Sequence, residues 1–232
     1  MTTYTTFLID LDHTIFDSDS SETAAFEQTM LAAGIDDFAR FTGAYRDINL
    51  ELWAAVERHE LTPQQVRTLR FERLVATEQL AADPLRMADD YVQALGANGE
   101  LYDGARETLE ALGAQASLAL VTNGLSEVQR ARIRRLGIGD YFDAIAISAE
   151  IGAAKPGTRI FDAVFAELGQ PARATAVMVG DNLSADIQGG ANYGIATCWY
   201  NPRGRVAGPG VQPGHEIAAL QELLALAPAA PA

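Results

Sequence analysis

Five short apolar runs recur along the chain and stop at polar residues: TTFLID (5–10), SLALVT (117–122), DAIAIS (143–148), AVMVGD (176–181) and IATCWY (195–200). Each has the length of a strand and lacks the polar alternation of a half-exposed one, as expected for strands buried on both faces. Between most of them the apolar spacing is helical, over 104–112, 125–136, 158–168 and 184–191. In the second of these Ser126 is placed to cap the start, Val128, Ile133 and Leu136 form one face, and Gly137 suits the end. Strands alternating with helices predict an α/β fold, a parallel sheet with helices on both faces.

Residues 16 to about 95 break the alternation. They hold helical patterns and no convincing strand. One helix is expected to start after Asp19 or Ser20, one to span about 37–58, one to begin at Thr62-Pro63-Gln64-Gln65 and one to cover about 84–95. Thr62 can cap, Pro63 suits the first helical position and Gln65 completes a capping box. The expected organisation is a core of 1–15 and 96–227, an inserted helical unit over 16–95, and a flexible tail over 228–232. The Gly- and Pro-rich stretch 201–214 is expected to be an irregular surface loop.

Composition narrows the class. The chain has 232 residues, 48% of them apolar, which supplies a core and excludes disorder. No apolar run approaches the roughly 20 residues of a membrane helix, so no membrane partner is expected. One cysteine, Cys198, cannot form an internal disulfide, and a cytoplasmic protein is the default expectation. A net charge of −14 argues against binding a nucleic-acid polymer through a broad basic surface. The oligomeric state stays open.

The chemistry sits at the strand ends. The first run closes on Asp10 and Asp12, the second on Thr122-Asn123-Gly124, the fourth on Gly180-Asp181-Asn182 with Asp186 beyond, and Lys155-Pro156 precedes a helix. In an open α/β sheet, ligands bind beyond the carboxyl ends of strands, so these groups can share one crevice. Four carboxylates at one point would repel, and burial would raise their pKa values. A magnesium ion relieves that crowding, since it takes a couple of carboxylates, waters and a phosphate oxygen. Thr122 and the amides after it can donate to a phosphate, and Lys155 supplies a mobile positive charge. One carboxylate can act as nucleophile and a second, two residues on, as acid and base. His13 is expected to be a turn residue near the site, and His59 and His215 surface residues.

In order and placement these four elements resemble the haloacid dehalogenase-like hydrolase superfamily: D-x-D-x-T at Asp10, Asp12 and Thr14; the strand ending in Thr122; Lys155; and G-D-x-x-x-x-D at Gly180, Asp181 and Asp186. The resemblance implies a Rossmann-like core with an inserted α-helical cap. It implies Asp10 as nucleophile, Asp12 as acid/base, and Thr122 and Lys155 as phosphate ligands; Asn123 beside them is a further phosphate candidate, weighed evenly against a turn residue. It implies Mg²⁺ held by Asp10, the Asp12 main-chain carbonyl and Asp181, with Asp186 binding directly or from behind. The dehalogenases of the superfamily lack the second carboxylate, so Asp12 points to phosphate chemistry. A looser likeness, in FDSDSSE (16–22), INLELW (48–53), VTNG (121–124), AAKPGTRIFD (153–162) and ATCWYNP (196–202), is to pyrimidine 5′-nucleotidases. It implies a small phosphomonoester substrate and makes Asn49 and Trp53 candidates for base or sugar contact, with Trp53 weighed against a place in the insert's own core. Phosphoglycolate phosphatases, sugar-phosphate phosphatases and phosphomutases share the core motifs, and a non-catalytic binding descendant is the remaining alternative.

Overall fold

The computed structural model describes residues 3–229 apart from His59 and Pro209. Expectations for His59 and for most of the tail at 228–232 therefore fall outside the described residues. Six parallel strands form one sheet: β1 (Thr6–Ile9), β2 (Ser117–Thr122), β3 (Ala144–Ile147), β4 (Ala176–Gly180), β5 (Ala196–Tyr200) and β6 (His215–Ile217). Their order is β3-β2-β1-β4-β5-β6. The chain builds outward from β1 on one side, then returns to build outward on the other. The strand order thus reverses between β1 and β4, and the crevice at their carboxyl ends is where such sheets bind ligands.

Successive side chains of a strand point to opposite faces, and here both faces are covered. Phe7, Ile9, Leu118, Leu120, Val177 and Val179 pack on one side, with Leu109 and Leu112 of helix α5 (Ala105–Gly113), Ile133 and Leu136 of α6 (Ser126–Leu136), and the C-terminal Leu220 and Leu223. Leu8, Ala119, Val121, Ala176 and Met178 pack on the other, against Ile160, Phe161, Val164 and Phe165 of α8 (Arg159–Glu167). A one-turn helix, α7 (Ser148–Ile151), follows β3.

Between β1 and β2 lie α1 (Ser18–Ala32), α2 (Thr42–Glu57), α3 (Pro63–Glu78) and α4 (Pro84–Ala97). The capping box forms at the start of α3: Gln65 N–H donates to Thr62 Oγ1 at 3.3 Å and Thr62 N–H to Gln65 Oε1 at 2.9 Å. The four helices have their own core, where Tyr45 packs on Phe26, Phe71 and Tyr91. Leu125, just before α6, and Val128 within it join that cluster, so α6 serves both the sheet and the insert. The linkers run side by side, with Asp17 N–H on the Glu100 carbonyl (2.9 Å) and Tyr102 N–H on that of Ile15 (3.0 Å).

Four sequence expectations are corrected. A sixth strand exists, where His215 is half-buried and bonds the Tyr4 hydroxyl at 2.9 Å instead of lying on open surface. The first insert helix starts at Ser18, capped by Asp17. Ser126 does not cap α6; its hydroxyl donates to Glu150 Oε1 at 2.5 Å. The segment after Asn182 opens as a π-helical turn (Leu183–Ile187) before α9 (Gln188–Tyr193). Among the described residues no helix is long and apolar enough to cross a membrane.

Candidate active site

Asp10 follows β1 and is held in the sheet by its N–H on the Val179 carbonyl (3.0 Å). The chain then turns tightly. The Leu11 carbonyl accepts from Thr14, Ile15 and Phe16, and His13 takes a left-handed φ of 59°, the turn role expected of it. The turn aims Thr14 back at the site. Its hydroxyl donates to Asp10 Oδ2 (3.1 Å) and accepts the Asp181 N–H (3.1 Å), joining the ends of β1 and β4.

Asp10, Asp181 and Asp186 can each offer a carboxylate oxygen within 4.8 Å of the others. Lys155 lies among them, only 1% exposed. Its ammonium donates to Asp10 Oδ1, Asp186 Oδ1 and the Val121 carbonyl, each at 2.6 Å. All three N–H bonds are therefore in use, and the expectation of a mobile charge is corrected to a pinned one. Asp186 reaches this place because the π turn widens the start of its helix. A Cβ on Gly180 would overlap its carboxylate, so glycine is required there. Its other oxygen accepts the Asn182 N–H (3.0 Å).

Burial raises the pKa of Asp10 to about 7, against the opposing pull of Lys155. Burial also raises Asp181, helped by the charge of Asp10, and it raises Asp186 despite Lys155. Three carboxylates beside one buried ammonium leave an excess of negative charge, and a divalent cation fits that donor set. From the loop after β5, half-exposed Arg205 also reaches Asp181 Oδ2 at 3.3 Å.

Asp12 stands apart from this cluster. Its Oδ1 accepts from Ser18 Oγ (2.5 Å) and Arg132 Nη1 (2.7 Å), and its Oδ2 from Gln129 Nε2 (2.6 Å). Burial alone would raise its pKa; Arg132, Ser18 and Gln129 outweigh burial and hold it below the ordinary carboxylate value. The expectation that all four acids rise is thus corrected for Asp12. Gln129 Nε2 also donates to the buried Thr122 hydroxyl oxygen (2.8 Å).

The other expected residues are accounted for as follows. The Asn123 side chain is spent on Lys155, donating to its carbonyl and accepting its N–H, both at 2.9 Å. It holds the lysine's backbone, leaving only its own main chain for a ligand. Asn49 of α2 is buried, with its amide nitrogen 3.5 Å from Glu22 Oε2 and its amide oxygen without a partner among the described residues. Trp53 is half-buried against an apolar cluster of Leu52, Val56, Val66 and Ala154. Glu57, at the end of α2, bridges to the loop after β4, accepting from Asn182 Nδ2 (3.0 Å) and Ser184 Oγ (2.5 Å).

Sequence reasoning missed Gln129, Arg132, Ser18 and Glu57. For two of them a signal existed. Gln129 and Arg132 interrupt the apolar stripe Leu125, Val128, Ile133, Leu136 of α6, and both are buried. A polar residue on a helix's apolar face must find partners.

A family model described as haloacid dehalogenase-like hydrolase matches residues 4–194. The chain is 34% identical over 214 residues to the pyrimidine 5′-nucleotidase YjjG of Escherichia coli, covering 92% of this chain and 93% of that one. It is 32% identical over 222 residues to the pyrimidine 5′-nucleotidase PynA of Streptococcus pneumoniae, covering 95% and 94%. The magnesium-bound crystal structure of the putative HAD-hydrolase YfnB from Bacillus subtilis superposes with a TM-score of 0.89 at 33% identity, covering 97% of this chain and 98% of that one. With Asp10, Asp12, Thr122, Lys155, Asp181 and Asp186 at the strand ends, and this likeness running along nearly the whole chain, the protein belongs to the haloacid dehalogenase-like hydrolase family.

Proposed function

We propose that the protein is a Mg²⁺-dependent phosphomonoester hydrolase that works through an aspartyl-phosphate on Asp10, with pyrimidine nucleoside 5′-monophosphates as its substrates. The observation that carries the chemistry is the buried Lys155 ammonium between Asp10 and Asp186, with Asp181 alongside. The substrate class rests on the two pyrimidine 5′-nucleotidases that match nearly end to end.

Asp10 is held by Thr14 at one oxygen and Lys155 at the other, so its approach to phosphorus is fixed before substrate arrives. Its carboxylate attacks in line, forming an O–P bond while the bond to the nucleoside 5′-oxygen breaks. Asp12, a carboxylate in the free protein, must take up a proton in the substrate complex and gives it to that oxygen. It then takes one from a water that attacks the phosphoryl group, which releases inorganic phosphate and restores Asp10. Lys155, the Thr122 hydroxyl and the main chain around Asn123 stabilise charge on the transferring group. A magnesium ion held by Asp10, Asp181 and the Asp12 main-chain carbonyl, with Asp186 behind, would neutralise the phosphoryl oxygens.

In this reading residues 16–95 are the cap over a core of 1–15 and 96–227 and exclude water from the site. Asn49 contacts the base or sugar through its unpartnered amide oxygen. The Trp53 ring forms a wall beside Ala154, next to Lys155. A cytoplasmic setting suits a buried, unpaired Cys198.

The test is chemical trapping. Borohydride quenching during turnover should convert Asp10, and no other carboxylate, to homoserine, read by peptide mass spectrometry. Asp10→Asn should lose phosphate release while melting as a folded protein. Full activity in that variant would remove Asp10 as the nucleophile.

A further inference from the structure

Arg132 is 4% exposed and projects from α6, outside every motif that the hydrolytic chemistry uses. Its Nη1 donates to Asp12 Oδ1 (2.7 Å) and Gln129 Oε1 (3.2 Å). Its Nη2 donates to Ser21 Oγ (3.1 Å) and its Nε to the Leu95 carbonyl (3.2 Å). Its guanidinium lies 4.4 Å from the centre of the Phe16 ring. Phe16 and Ser21 belong to the segment entering the helical insert, and Leu95 to the helix leaving it. One side chain therefore touches both connections of the insert and the carboxylate proposed to protonate the leaving group.

These connections are locked to one another. Phe16 and Leu101 form an antiparallel bridge, and Ser21 Oγ donates to the Leu95 carbonyl at 3.3 Å. Gly99, at φ +90°, lies so close that a Cβ there would sit 2.5 Å from the Phe16 ring and 2.7 Å from Ser21. The planar fork of arginine can hold several acceptors in fixed directions at once, which a lysine ammonium on a flexible stem cannot. Gln129 grips the other Asp12 oxygen and bonds Arg132 in turn. The Asp12 carboxylate is thereby fixed in rotation by Arg132, which makes no bond to Asp10, Thr122 or Lys155, and by Gln129, which also bonds the Thr122 hydroxyl.

We infer that Arg132 is a positioning residue that ties the orientation of Asp12 to the seating of the helical insert on its two linkers, so that proton transfer to the leaving group depends on Arg132. This rests on the hydrolytic reading above. Attack by Asp10 does not need Arg132; departure of a poor leaving group does.

Leaving-group dependence tests it. For each enzyme, kcat/KM is measured with UMP, whose alkoxide must be protonated, and with p-nitrophenyl phosphate, whose phenolate leaves without a proton. This parameter stops at formation of the phosphoryl enzyme, so the later use of Asp12 as a base does not enter. Arg132→Met is expected to lower kcat/KM for UMP by about 10-fold to 100-fold, within the range a positioned acid contributes, and that for p-nitrophenyl phosphate by less than about threefold, well short of that range. Gln129→Met, which also removes the bond to the Thr122 hydroxyl, should lower kcat/KM for both substrates, and that for UMP by the larger factor. Ser21→Ala, which touches neither Asp12 nor substrate, should bias the ratio in the same direction. Arg132→Lys should recover only part of the loss.

Equal losses on both substrates in Arg132→Met and Gln129→Met would overturn the inference, as would no loss on either. Should Arg132→Met fail to fold, the Gln129 and Ser21 variants decide it alone. Absence of wild-type turnover on every alkyl phosphate would instead overturn the hydrolytic reading, a separate failure.

Discussion

Replacing Lys155 with methionine removes a charge and keeps most of the volume. The lysine makes two bonds to buried carboxylates and one to a carbonyl, all at 2.6 Å. Removing one member of a buried ion pair typically costs about 3–5 kcal/mol, because the other is left uncompensated. Here two acids lose their partner, yet the loss has a ceiling. Asp10 already stands at about 7 through burial, so at neutral pH it can take up a proton instead of remaining an unpaired charge. A cost of about 3–5 kcal/mol at pH 8 corresponds to a Tm lower by roughly 6–20 °C for a chain of this size. The sign with pH follows from linkage. An acid whose folded pKa lies above its unfolded value holds more protons folded than unfolded, so it favours folding progressively as pH falls through the folded pKa. Losing Lys155 moves Asp10 and Asp186 further up, so the variant's deficit should shrink between pH 8 and pH 5.5. The assay is thermal melting by circular dichroism in chelator, since a bound cation would take over the neutralisation. A drop under about 2 °C, far below the range expected from a broken buried pair, would refute the reasoning. So would the same drop at both pH values.

Two further outcomes follow from the packing. Gly180→Ala forces the Asp186 carboxylate off Lys155 and should cost about 1–3 kcal/mol as an overpacked site, with a higher Mg²⁺ concentration needed for half-maximal turnover. Urea melts and a Mg²⁺ titration check it. Cys198 is fully buried and its thiol is pushed up to about 12 by burial; a disulfide reagent should find no reactive thiol in the native protein and one after denaturation.

Much of the fold was legible because its strands are buried on both faces, which leaves unbroken apolar runs that carry their polar residues at the ends. The capping box at Thr62 and the left-handed Gly137 that ends α6 were legible because each rests on contacts within a few residues. β6 was not, since His215–Ile217 has no strand character of its own and is ordered by pairing with β5. The carboxylates of the site were visible as motifs, while their electrostatics were not. Asp12 sits low because Arg132, 120 residues away in sequence, folds onto it together with Ser18 and Gln129. The pinning of Lys155 likewise depends on Asp10 and Asp186, brought in from two different strand ends.

The most direct measurement is phosphate release from a panel of monoesters, with Mg²⁺ and with chelator: UMP, dUMP, dTMP, purine nucleotides, phosphoglycolate and sugar phosphates. The account predicts release that requires Mg²⁺ and is fastest on the pyrimidine nucleotides. Undiminished release in chelator, or a folded protein silent on every ester, would contradict it.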